Sequence, residues 1–257
     1  MDLKLKNKVV FVSASDAGIG KAIVEDFLSE GSRVIINGRN EKKVISVFNN
    51  FKKKYNKNID YFIGDITEEK NIKEAKKKIL KKWKNIDILI PNLGSGKPES
   101  KNQLSAIEWQ RFFEINVFSN LKLVNIFLPE LKKSNNGSIV FVSSIAGLQK
   151  SKAPLGYSAS KSAIISLGKN LSSQLSKFGI RVNIVAPGNI KFPLGRWEQI
   201  IKENPSVIKT YIKKDVPMQR FGNPEEIAKS VVFLASQVSS FTTGACLVVD
   251  GGEINFI

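Results

Sequence analysis

The sequence contains no histidine and only one cysteine, Cys246. Without histidine there is no histidine-based triad, no histidine-zinc site and no imidazole acid or base. Proton transfer must then fall to Tyr, Lys, Asp or Glu. A lone cysteine excludes an internal disulfide and a thiolate cluster, so no metal site is expected. It lies in the apolar run Cys246-Leu247-Val248-Val249 and reads as a buried core thiol. No apolar run reaches the roughly 18 residues of a membrane span. The start, Met1-Asp2-Leu3-Lys4-Leu5-Lys6, lacks the apolar segment of a secretion signal. The expectation is a cytoplasmic protein with no membrane partner.

Acidic residues are few beside basic ones, 23 against 40, for a net charge of +17. Such an excess suits an anionic partner. Only six of the basic residues are arginine, however, and 22 asparagines accompany the lysines, as in an AT-rich coding bias. The lysines cluster on polar faces, as in Lys52-Lys53-Lys54 and Lys76-Lys77-Lys78. No recognised nucleic-acid motif goes with the charge, so no nucleic-acid partner is expected.

What is present is a chain of 257 residues, 42% hydrophobic and 25% charged, which suits one large α/β domain over residues 1–257. No repeat, low-complexity tract or linker suggests a second domain. Short apolar runs at 8–13, 33–37, 60–63, 87–90, 138–142, 180–185 and 246–249 read as strands. Helical patterns lie between them, including a long one from about 105 to 133 and another from about 156 to 177. Parallel strands need crossovers, so the fold class is α/β. The expected architecture is a single doubly wound (Rossmann) parallel sheet of about seven strands flanked by helices.

Two stretches carry chemistry. Gly18-Ile19-Gly20 lies between the first strand and a helix, where glycines admit a pyrophosphate to the backbone and the helix N-terminus favours its charge. An ordinary tight turn is the alternative, and the strand-turn-helix context favours the pyrophosphate. Tyr157 and Lys161 stand four apart on one helix face, with Ser144 at the end of an apolar run before them. A cation roughly 4–6 Å from a phenol lowers its pKa by about one to three units, and Lys161 is expected to act so on Tyr157. Alone, the pair reads better as two surface residues sharing a face.

Taken together, these marks resemble the short-chain dehydrogenase/reductase family, with its Thr-Gly-x-x-x-Gly-x-Gly loop and Tyr-x-x-x-Lys pair. The resemblance runs from Lys8 to Gly252 through Gly137-Ser138-Ile139-Val140, Arg181-Val182-Asn183, Ala186-Pro187-Gly188 and Val249-Asp250-Gly251-Gly252. Pro217-Met218-Gln219-Arg220-Phe221-Gly222 and Pro224-Glu225-Glu226-Ile227-Ala228 look like the oxoacyl-carrier-protein reductase branch.

The resemblance implies a catalytic set of Asn116, Ser144, Tyr157 and Lys161. It implies cofactor contacts from Ser13, Ser15, Asp16, Gly18, Ile19, Gly20, Arg39, Asp65, Ile66, Asn92, Gly94, Tyr157, Lys161, Pro187, Gly188 and Ile190. Gly38 holds the place where NAD-preferring enzymes often carry a carboxylate. Arg39 follows it and suits a 2′-phosphate, so NADP(H) is preferred over NAD(H); alternatively Arg39 is a solvated surface residue. Asp65 either accepts from the adenine or caps the next helix. Asn116 either holds a water in a proton relay or kinks its helix.

The implied activity interconverts a carbonyl and a secondary alcohol, with Tyr157 as acid or base and Ser144 steadying the oxygen. A 3-oxoacyl thioester leads as substrate. A sugar or polyol dehydrogenase and a non-catalytic NADP-binding protein are the alternatives. A homotetramer or homodimer is implied as well. Residues 189–216 are the expected substrate lid, with Phe192, Pro193, Leu194, Trp197, Ile200 and Ile201 lining an apolar pocket.

The chain departs from the family pattern at several places. Ala14 replaces a loop glycine, tolerable if its φ is negative. Pro91 loses an amide, and Leu93 brings a larger side chain toward the cofactor cleft. Phe192 stands where a threonine often holds the carboxamide. Asn135 and Phe178 stand where carrier-protein reductases present basic residues, which weakens a carrier-protein substrate.

Overall fold

Each expected apolar run forms a strand in the computed structural model, which describes residues 2–134 and 136–254. The strands are β1 (Val9–Val12), β2 (Arg33–Gly38), β3 (Ile59–Ile63), β4 (Ile88–Ile90), β5 (Ser138–Val142), β6 (Arg181–Pro187) and β7 (Cys246–Val249). All pairings are parallel, in the order β3-β2-β1-β4-β5-β6-β7. Central strands are buried on both faces, which is why they read as unbroken Val/Ile/Leu/Phe runs. The order reverses between β1 and β4, and the crevice at the C-terminal ends of these strands is where such a sheet takes ligands.

The crossovers are α1 (Gly18–Ser29), α2 (Glu41–Tyr55), α3 (Glu69–Trp83), α4 (Ala106–Phe113), α5 (Ser119–Leu131), α6 (Leu155–Leu175) and α9 (Pro224–Ala235). One core lies under α1, α2 and α9, with Ile23, Phe27, Val44 and Val231 fully buried against Val10, Val12, Val34 and Ile36. The other lies under α3, α5 and α6, around Phe11, Phe127, Phe141 and Ile184. No helix among the described residues is long and apolar enough to cross a membrane.

Two expectations change, and the irregular or short-helical stretch expected over 188–217 takes definite form. The long helix of 105–133 is two helices joined by a π-helical turn, Glu114–Phe118, in which the Ser119 hydroxyl donates to the Glu114 carbonyl at 2.7 Å. Residues 189–216 contain two helices, α7 (Arg196–Glu203) and α8 (Pro205–Asp215). Cys246 is half-buried instead of buried, because β7 is the sheet's outer strand and leaves Leu247 and Val248 partly open.

Candidate active site

The dinucleotide side starts at β1. Gly18 has φ +53, and α1 begins with no side-chain cap and no acidic residue in its first turn. Its first amides are therefore left to an anion. A Cβ on Gly20 would stand 2.5 Å from the Ala14 carbonyl oxygen, so the loop closes on itself only with glycine there. Ala14 itself has φ +48, contrary to the expected negative value. That conformation costs an alanine about 1 kcal/mol. It is held from both sides: the Ala14 amide donates to Asn37 Oδ1 at 3.1 Å, and Asn92 Nδ2 donates to its carbonyl at 3.0 Å.

Ser13 and Ser15 differ from the expected ligand contacts, since both are fully buried and their hydroxyls are engaged within the protein. Ser13 Oγ accepts from the amides of Asn92 at 2.9 Å and Leu93 at 3.1 Å. Ser15 Oγ donates to the Val12 carbonyl and accepts from the Asn37 amide. They shape the loop from beneath. The Ile66 side chain likewise lies in the second core, and Ile190 in the first.

Arg39 is exposed and pairs with Asp65 at 3.2 Å. The other Asp65 oxygen accepts from the Thr67 amide and hydroxyl, and the N-cap position of α3 is Glu68, which makes no side-chain cap bond. With these donors around it, Asp65 has its carboxyl held below the usual range despite partial burial. A cleft of about 830 Å³ opens beside Arg39, Asp65 and Thr67 and is walled opposite by Trp109, Gln110 and Phe113.

The catalytic side is built on α6. Gly147, just after Ser144, packs directly on the α6 backbone: a Cβ there would lie 2.6 Å from the Lys161 carbonyl carbon and 2.7 Å from the Ser162 nitrogen. Ser143 Oγ donates to the Lys161 carbonyl at 2.9 Å, and Ser162 Oγ donates to the Gly147 carbonyl at 2.6 Å. These contacts draw the end of β5 onto the helix that carries Tyr157 and Lys161. The loop after β4 closes the other side. A Cβ on Gly94 would meet Lys161 Nζ at 2.9 Å and Asn116 Oδ1 at 3.2 Å, and one on Gly96 would meet the Tyr157 ring at 3.4 Å. Asn116, Ser144, Tyr157 and Lys161 are thus brought to one place.

Asn116 sits in the π turn and is fully buried. Its Oδ1 accepts from the Ser95 amide at 2.7 Å, and its Nδ2 donates to Ser160 Oγ at 2.9 Å and to the Ser95 carbonyl. Both expected roles meet here, since the amide marks the helix break and pins the loop over the site. Ser95, Ser143, Ser160 and Gly147 were not singled out by sequence. Small residues beside turns carry no signal of their own until the contact they permit is known.

The electrostatics correct one expectation. Lys161 does not lower the Tyr157 pKa. Burial raises the phenol, and the Ser144 hydroxyl is the group that pulls the other way. Lys161 Nζ lies 5.7 Å from the phenol ring centroid and donates to the Val142 carbonyl at 3.0 Å. The lysine is only 4% exposed, and burial lowers its own pKa to about 8. An unfolded lysine titrates near 10.5. Between about pH 8 and 10.5 the unfolded chain therefore holds a proton that the folded one has released, and stability rises with pH across that window. The shift corresponds to about 3 kcal/mol. Urea unfolding of the cofactor-free protein should show this rise, and Lys161→Met should remove it; parallel pH profiles would refute the assignment.

Pro91 accepts from the Val142 amide at 3.2 Å, so its missing N–H costs the sheet no bond on that side. Leu93 is half-buried and packs against the second core. Phe192 lies with its ring against Gly18, 2.8 Å from where a Cβ would be. Leu194 is 83% exposed and Pro193 is exposed too, so neither lines a pocket. Trp197 stacks on Tyr211 at 5.8 Å and packs on Phe221, as in a helix pair seated on the domain. Pro187 ends β6, and Gly188 donates to the Val249 carbonyl at 3.0 Å. Phe178 is exposed between the ammonium groups of Lys132 and Lys177; Asn135 lies outside the described residues. No cluster of potential metal ligands occurs among the described residues.

The chain matches the family model described as enoyl-(acyl carrier protein) reductase over residues 13–253. It is 31% identical to the 3-oxoacyl-(acyl-carrier-protein) reductase FabG of Thermotoga maritima over 98% of this chain and 100% of that protein. Its structure resembles L-sorbose reductase from Gluconobacter frateurii complexed with NADPH and L-sorbose, with TM-score 0.93, 26% identity and 100% of both chains covered. It also resembles a 7α-hydroxysteroid dehydrogenase complexed with NADH and 7-oxo glycochenodeoxycholic acid, with TM-score 0.89, 29% identity and coverage of 98% and 96%. Matched from its glycine loop to beyond its last strand, the chain belongs to the short-chain dehydrogenase/reductase family of oxidoreductases.

Proposed function

We propose that this protein is an NADP(H)-dependent oxidoreductase that interconverts a carbonyl and a secondary alcohol, with Tyr157 as its general acid and base. The observation that carries this reading is the convergence of Ser144, Tyr157 and Lys161 beside the Gly94–Gly96 loop. Two hydroxyl donors at one point suit an oxygen that gains charge, as a carbonyl oxygen does on reduction. They do less for a carbon–carbon double bond.

The fit to a dinucleotide rests on the uncapped start of α1, the left-handed Gly18 and the buried Lys161. The turn from Asp16 to Gly20 would hold the pyrophosphate, and Arg39 would attract a 2′-phosphate. The cofactor supplies hydride in reduction and takes it up in oxidation. Because burial raises its pKa, Tyr157 is protonated at neutral pH and ready to give its proton to the substrate oxygen. Ser144 donates a hydrogen bond to that oxygen. Lys161, still mostly charged at pH 7, faces the tyrosinate left behind. Asn116 keeps Gly94 and Ser95 over both.

A 3-oxoacyl thioester is the leading substrate class, in keeping with the relationship to FabG. A sugar or polyol is the second, supported by the likeness to L-sorbose reductase and by an L-fucose dehydrogenase of Bos taurus that is 30% identical. The proposal includes a cytoplasmic homo-oligomer, a homotetramer or homodimer. The test is NADPH absorbance with purified protein and three substrates: a 3-oxoacyl thioester, a ketose and an enoyl thioester. Consumption with either of the first two supports the reading and chooses between them. Consumption with the enoyl thioester alone overturns it.

A further inference from the structure

Gly38 ends β2 without a side chain, at the place where a carboxylate would meet the ribose of a bound dinucleotide. The space above it is filled from elsewhere. A Cβ on Gly38 would lie 2.6 Å from Cγ and Oδ2 of Asp16 and 2.8 Å from its Cβ. The Asp16 carboxylate therefore reaches over from the glycine loop and lies across the end of the strand. It is half-buried, and that burial raises its pKa against the pull of its own backbone amide and of Lys43 and Arg39.

Neither cation is bonded to it. Arg39 pairs with Asp65, and no salt bridge or side-chain partner engages Asp16 among the described residues. The strand end thus presents a carboxylate with free lone pairs beside an arginine 76% exposed. The first is an acceptor for vicinal hydroxyls and repels a phosphate; the second attracts one.

Resting on the reading that the protein binds a nicotinamide dinucleotide, we propose that Asp16 sets its selectivity between NAD(H) and NADP(H). Asp16 accepts from the adenosine ribose hydroxyls of NAD(H) and opposes the 2′-phosphate that Arg39 attracts. The acidic determinant has moved from the end of β2 to the glycine loop, and the absence of a side chain at Gly38 makes room for it. The site consequently admits both dinucleotides, and its preference for NADP(H) is smaller than Arg39 alone would give.

The test measures dissociation constants of NADPH and NADH by nicotinamide fluorescence at low ionic strength. The parent, Asp16→Asn, Asp16→Ser and Arg39→Ala are compared, with circular dichroism to check that each is folded. Both Asp16 variants should move the affinity ratio about tenfold toward NADPH, through weaker NADH and tighter NADPH binding. Arg39→Ala should move it the other way, and both shifts should shrink as salt is added. If the parent binds both dinucleotides and the Asp16 variants leave the ratio within about twofold, the proposal fails while the functional reading stands. If the parent binds neither, the functional reading fails and takes the proposal with it. A loss of both affinities in equal measure would reduce Asp16 to a support of the loop and overturn the proposal.

Discussion

A Tyr157→Phe protein is expected to bind NADPH within about threefold of the parent and to reduce its carbonyl substrate about 10³-fold more slowly. The size follows from removing a proton donor, a change worth about 10² to 10⁴ in general acid catalysis. The substitution deletes one oxygen and leaves the ring in place. The edge-on contact with Phe112 at 6.4 Å and the packing against Gly96 both persist. The Tyr157 side chain is half-buried and its ring contacts persist without the hydroxyl, so losing that oxygen should not unfold the protein. Single-turnover rates with saturating NADPH, read beside the binding constant, are the measurement. A rate within tenfold of the parent would mean that another group supplies the proton, and with no histidine the candidates are few. A parent that binds NADPH and reduces nothing would favour a non-catalytic dinucleotide-binding protein.

Gly147→Ala should be the most damaging single methyl group in the site. The added carbon would stand 2.6 Å from the Lys161 carbonyl carbon, 2.7 Å from the Ser162 nitrogen and 2.9 Å from the Lys161 oxygen. All three are backbone atoms of α6, so no side chain can swing aside. Either the helix or the turn after Ser144 must retreat. Overpacking of this kind costs about 1–3 kcal/mol, and the bonds from Ser143 and Ser162 that close the same joint would stretch with it. Displacing Ser144 from Tyr157 by about 1 Å lowers turnover by about 10²-fold. Urea unfolding and turnover should therefore fall together. Gly179→Ala is the comparison for turnover alone: a Cβ there meets nothing within 4 Å, and its φ of +70 costs stability without touching the site. It should keep full turnover. A Gly147→Ala protein with parental stability and rate would show that the joint is loose.

Much of the fold was legible because a parallel sheet advertises itself: Val9-Val10-Phe11-Val12 and Ile139-Val140-Phe141-Val142 are apolar without alternation, and helical patterns separate them. What failed were readings that depend on partners remote in sequence. Ala14 looked tolerable only at negative φ, but Asn37 and Asn92 together hold it at +48. The Tyr157–Lys161 spacing correctly placed the two on one face. It could not reveal that Lys161 would be buried and Tyr157 half-buried, so the expected fall in the phenol pKa became a rise. Burial is a property of what covers a residue, and the cover here comes from Gly94, Gly96 and Phe112.

The bonds from the Asn92 and Leu93 amides to the Ser13 hydroxyl join residues 79 and 80 positions apart. Closing a segment that long carries an entropy cost that rises with the logarithm of its length, and the return comes only once β1 and β4 are side by side. The glycine loop is therefore complete as a sequence long before it is complete as a shape. A chain emerging during synthesis has the whole motif once residue 20 is made, yet Ala14 has no Asn92 to hold it in its strained turn. Competence to grip a dinucleotide arrives with β4, late and all at once, as a property of assembly order.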